Sequence, residues 1–105
     1  MKRFKEKLID KLREITESYG LELIKGMDET FYIQPKDSFL TIATLDFNFY
    51  DNRGFLSLDI QVDCDIIDCE KWQFERIDIN FTDNKAIQKM FDSVEELLGS
   101  KYQKS

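Results

Sequence analysis

The sequence predicts a two-layer α+β domain: an N-terminal helix, a five-stranded antiparallel β-meander and a C-terminal helix, with both helices on one sheet face. Three observations carry this expectation. In residues 39–62, two runs of alternating apolar residues flank Asp51-Asn52-Arg53-Gly54, the pattern of a β-hairpin. Both ends of the chain place apolar residues at spacings of three and four, the helical period. Three shorter alternating runs surround the hairpin. With 105 residues, 42% of them hydrophobic and nine of them Phe, the chain is expected to form one globular domain over residues 1–105.

The first helix is expected over residues 2–19. Phe4, Leu8, Leu12, Ile15 and Tyr19 form its apolar stripe, Ile9 widens it, and Gly20 is a natural cap. Its polar face mixes Lys and Glu, so the stripe belongs to a core rather than to a membrane surface. Residues 21–25 and 30–34 read as short strands joined by Gly26-Met27-Asp28-Glu29, and Pro35 ends the second.

The hairpin comes next, and its register follows from its turn. If residues 51–54 are the loop, Tyr50 faces Phe55, Phe49 faces Leu56, Phe47 faces Leu58, Leu45 faces Ile60 and Ala43 faces Val62. One face is then apolar throughout, and a slip of one residue would turn every side chain to the wrong side. The other face pairs Asn48 with Ser57, Asp46 with Asp59, and Thr44 with Gln61. Like charges directly opposite each other on a sheet are destabilising, so Asp46 against Asp59 is a cost. Leu40 and Ile42 alternate out of phase with Leu45 and Phe47. The strand, begun at Phe39, therefore needs a bulge near Thr41 or a cover on both sides at that end.

Residues 63–71, DCDIIDCEK, form a loop or a helical turn. They match no EF-hand spacing and contain no glycine. Residues 72–81 form the last strand, with Ile77, Ile79 and Phe81 towards the core and Trp72, Phe74, Arg76 and Asp78 on the other face. Trp72 and Phe74 among charges read either as interface aromatics or as residues covered by the preceding loop. Thr82 or Asp83 caps the second helix, whose stripe is Ile87, Phe91, Val94, Leu98 and Tyr102. After Gly99 a frayed polar tail is expected.

Composition narrows the chemistry. There is no histidine, which removes the commonest general base and the commonest transition-metal ligand. Four glycines leave no room for a Gly-rich phosphate loop. Two cysteines, Cys64 and Cys69, are too few for a zinc site and are expected to be free thiols. No segment approaches the ~18 apolar residues of a membrane span, and the charged start lacks a leader's apolar run, so a cytoplasmic protein is expected. The net charge of −6 argues against nucleic acid as the partner. Residues 28–83 carry −9, whereas residues 1–27 carry +2 and residues 84–105 carry +1. The sheet is therefore the acidic part, suited to a protein partner with a basic surface.

Aligning the last strand so that Ile77 faces Ile60 and Ile79 faces Leu58 sets Asp78 opposite Asp59. Asp46, Asp59 and Asp78 would then form an acidic row across three strands. The expected function is a non-enzymatic protein-binding module without cofactor or metal. It resembles, at the level of class, small acidic inhibitors of the toxin-immunity or phage anti-defence type. Its expected partner-binding residues are Asp46, Asn48, Asp59, Gln61, Trp72, Phe74, Arg76 and Asp78. A secretion-type chaperone or homodimeric scaffold is the alternative, using Trp72, Phe74, Leu40 and Ile42 as an apolar patch. A small metal-dependent enzyme built on Asp46, Asp59 and Asp78 is the third.

Overall fold

A computed structural model describes residues 2–63 and 75–104. The elements run α1 (Lys2–Ser18), β1 (Leu21–Lys25), β2 (Thr30–Pro35), β3 (Ala43–Tyr50), β4 (Phe55–Val62), β5 (Glu75–Asn80) and α2 (Asn84–Gly99). The strands form one antiparallel sheet in the order β1-β2-β3-β4-β5, so neighbours in the chain are neighbours in the sheet. This is the α+β meander that the hydrophobic pattern predicts. Cys64, Cys69, Trp72 and Phe74 lie outside the described residues.

Alternation along each strand decides which face the helices cover. Leu21, Leu23, Phe31, Ile33, Leu45, Phe47, Leu56, Leu58 and Ile79 are buried beneath Leu8, Leu12 and Ile15 of α1 and Met90, Val94 and Leu98 of α2. Phe47 lies edge-on to Phe31 at 6.0 Å and stacks on Phe49 at 5.6 Å, so three rings bridge β2 and β3 inside this layer. At the rim, Lys5 Nζ sits 4.6 Å above the Phe49 ring and 3.4 Å from Glu29 Oε1, fastening α1 to the β1–β2 turn.

The β3–β4 hairpin has the expected register at all eight pairs, from Ala43 with Val62 to Tyr50 with Phe55. Gly54 takes φ 71°, the left-handed conformation this turn requires, and its N–H donates to Tyr50 O at 2.9 Å. Two other turns place aspartate in the same region, Asp28 at 54° and Asp37 at 62°, which short polar side chains tolerate. Gly26 serves close approach instead. A Cβ there would lie 2.4 Å from Cε2 of Tyr32, so glycine lets the Tyr32 ring lie over the turn.

Three expectations need correction. First, β3 begins at Ala43, not Phe39, and Ile42 and Ala43 are both buried. Ile42 N donates to Ile33 O at 2.8 Å while Ala43 is the register partner of Ile33, so two residues of one strand oppose one of the next. The bulge expected near Thr41 falls at Ile42. It turns Ile42 inward and leaves Leu40 half exposed. Second, β5 pairs with β4 two residues away from the predicted alignment: Ile77 faces Leu58 and Ile79 faces Leu56. Phe81 leaves the ladder, donating its N–H to Gly54 O at 2.9 Å and packing its ring 4.6 Å from Phe4. Third, the chain beyond Gly99 is tied down. Tyr102 N donates to Leu98 O, and Tyr102 packs against the core. Lys104 Nζ lies 2.7 Å from Glu95 Oε1, and that hydrogen bond raises the ammonium's pKa. Asp83 is the cap of α2, accepting from Ala86 N at 3.0 Å.

Candidate functional site: the outer sheet face

The face opposite the helices carries the even-numbered residues of β2 and β3 and the odd-numbered residues of β4. The register arranges them in rows. One row runs Thr30, Asp46, Asp59 and Arg76; the next runs Asn48, Ser57 and Asp78; the third runs Tyr50, Phe55 and Asn80. Tyr32, Thr44 and Gln61 form a row on the far side of the aspartates.

Asp46 and Asp59 are directly opposite, as expected. Thr30 relieves Asp46. Thr30 Oγ1 donates to Asp46 Oδ1 at 3.2 Å, and Arg76 occupies the register position beyond Asp59. The third member of the predicted acidic row is elsewhere. Asp78 faces Ser57 and lies one row from Asp59, so the row Asp46–Asp59–Asp78 does not form. Among the described residues, no group of three or more Asp, Glu, Cys or His comes together in a way that could hold a metal ion.

Asp46, Asn48, Gln61 and Asp78 are exposed and Asp59 is half-buried, all on this face. Sequence reasoning did not count Thr30, Ser57 or the Tyr50–Phe55 pair among the site residues. Those two rings stack at 4.7 Å with 21° between their planes, closing one end of the polar rows. The register already had Tyr50 facing Phe55, so the stack was legible as a contact. Thr30 depended on the β2–β3 register, which no tight turn fixes.

The acidic pair gives a stability test. Asp46→Thr replaces a like-charge pair with Thr against Asp and is expected to raise the unfolding free energy by about 0.2–1 kcal/mol. Urea denaturation of the two proteins measures it. A loss of stability would mean that the Thr30 hydrogen bond to Asp46 already outweighs the repulsion.

Comparison of the chain with protein-family models, with curated proteins and with solved structures finds no match to any of them. The chemistry of the outer face therefore carries the functional reading. It offers carboxylates, amide groups and two stacked rings on one sheet face.

Proposed function

We propose that this domain is a non-enzymatic protein-binding module that engages a basic surface of a protein partner through its outer sheet face. The supporting observation is the directly opposed pair Asp46 and Asp59 at the centre of that face. Two carboxylates directly opposite each other concentrate negative charge, which attracts an approaching Lys or Arg. The pattern suits a small acidic inhibitor of the toxin-immunity or phage anti-defence kind, working in the cytoplasm. No helix among the described residues is long and apolar enough to cross a membrane, in keeping with that reading.

The test is affinity capture from the source cell with wild type and with Asp46→Lys/Asp59→Lys, after circular dichroism shows both folded. A protein retained by the wild type, released as salt rises and lost with the double variant is the expected result. Identical recovery of every bound protein by both forms would remove the charged-face reading.

A second reading, a chaperone or dimeric scaffold, draws on Phe39 and Leu40, which are fully and half exposed beside the β2–β3 connection. Ile42, which that reading placed in the same patch, is buried in the core and is withdrawn from it. A mass measured in solution at high concentration decides whether two copies associate.

A further inference from the structure

A sheet whose strands follow chain order has two free edges, here β1 and β5. An edge strand presents unpaired N–H and C=O groups to which another strand can pair. Their direction at β5 follows from one hydrogen bond. Phe81 N donates to Gly54 O, and in an antiparallel ladder the bonded pairs recur at every second residue. Ile79 and Ile77 therefore bond to Leu56 and Leu58, and the main-chain groups of Arg76 and Asp78 point away from the sheet. Among the described residues, no hydrogen bond reaches the main chain of Asp78 from that side. Beside it, between β5 and α2, lies a cavity of about 360 Å³ whose lining includes Ile77, Asp78, Ile79, Ala86, Lys89 and Met90. Residues from both faces of β5 line it, so it opens at the edge. Ile77 is only partly buried there, whereas Ile79 is 1% exposed.

The charges along β5 match those of β5 itself. Two copies of one strand pair antiparallel about a two-fold axis perpendicular to the sheet, and residues that face each other must lie on the same side of the sheet. Three registers are open. With Asp78 opposite Asp78 of the second copy, like charges meet. With Ile79 opposite Ile79 of the second copy, Asp78 faces Asn80 and no charge is answered. With Ile77 opposite Ile77 of the second copy, Arg76 faces Asp78 of that copy and Asp78 faces its Arg76. Both pairs then join opposite charges. Both also fall at the positions whose main chain points outward, so each pair exchanges two hydrogen bonds. On the helix side, the same register sets the partly exposed Ile77 of each copy against the other, at the mouth of the cavity. The β1 edge offers no such match. Glu22 and Lys25 alternate onto opposite faces, so no register of β1 on itself sets them against each other.

We propose that β5 is a self-pairing edge at which two copies of this chain join antiparallel along residues 75–79, centred on Ile77, into one continuous sheet. The helices of both copies then lie on the same side of that sheet. Asp46 and Asp59, on β3 and β4, stay uncovered. The pairing therefore goes beyond the reading of the outer face and does not depend on it.

The experiment is sedimentation of the full chain over a wide range of concentration, with amide hydrogen exchange at both ends of that range. The wild type is expected to pass from one chain to two as concentration rises. In the dimer the Asp78 amide should exchange several-fold more slowly, while those of Ile77 and Ile79, already bonded to β4, do not change. Asp78→Pro removes an outward donor, leaves the ladder to β4 intact and should stay monomeric. Asp78→Arg and Arg76→Asp should each be monomeric alone and pair when mixed, because each supplies the charge that the other lacks. Circular dichroism checks that every variant is folded, and Asp78→Pro with the exchange data keeps the test decisive if a charge variant is not. A wild type that stays monomeric at every concentration would overturn the proposal. So would a dimer that Asp78→Pro retains, since its contact would lie on another surface, and so would a mixture of the two folded charge variants that does not associate.

Discussion

Phe47→Ala is expected to lower the free energy of unfolding by about 3–5 kcal/mol, the range for deleting a fully buried aromatic ring. Phe47 is on the central strand of five and is 2% exposed. Its ring touches Phe31 on β2 edge-on and stacks on Phe49 within β3, and its cross-strand partner Leu58 is fully buried. Alanine therefore removes the transfer free energy of the ring, two aromatic contacts worth about 0.5–1.5 kcal/mol each, and the support of a sheet that cannot collapse inward. Domains of this size hold only about 5–15 kcal/mol in total, so the variant should be marginal at physiological temperature. Urea denaturation followed by circular dichroism and by fluorescence measures the loss. A loss below about 1 kcal/mol would place the ring outside the core, because surface changes rarely exceed about 0.5 kcal/mol.

Ile42→Ala and Leu40→Ala are expected to differ sharply. Ile42 has no exposed surface, whereas Leu40 keeps 51% of its own. Truncating the first should cost about 2–5 kcal/mol, and truncating the second should stay within about 0.5 kcal/mol. Simple alternation back from Phe47 and Leu45 puts both residues on the outer face and makes both changes cheap. The bulge at Ile42 separates them by adding one residue opposite Ile33. The pair of denaturation curves therefore tests the bulge itself, and two equally small losses would mean it is absent.

The β3–β4 hairpin was legible because two independent signals agree on it. A four-residue turn with Gly54 permits one register, and the apolar alternation chooses the same one. The alignment of β5 had only one of those signals. A period of two fixes which face a residue occupies, but it is satisfied equally by any shift of two residues. Leu58 and Leu56 are apolar partners for Ile77 and Ile79, and so are Ile60 and Leu58, so the pattern alone does not choose between them. No short turn joins β4 to β5, so turn chemistry is silent there. The deciding contacts are Phe81 N on Gly54 O and the Phe81 ring on Phe4, which bring together three distant parts of the chain.

The candidate site inherits this division. The face assignments of Asp46, Asn48, Asp59, Gln61 and Asp78 held, so these residues share one surface. The row assignment of Asp78 did not hold, because a row depends on register and not on face. Tyr102 was expected in the apolar stripe of the second helix, and it does pack against the core. Its spacing marks it as part of a helical stripe, yet it reaches the core from a turn beyond the helix, closed by Tyr102 N on Leu98 O.

The chain order of the strands has a kinetic meaning. Each strand pairs with the one made just before it, so most of the sheet forms by closing short loops, and short loops lose little entropy. The exception is the helical layer. α1 and α2 come from opposite ends of the sequence and meet over the finished sheet, a closure that spans nearly the whole chain. The sheet can zip from any hairpin, whereas the docking of the two helices has to wait for the strands between them to be drawn together.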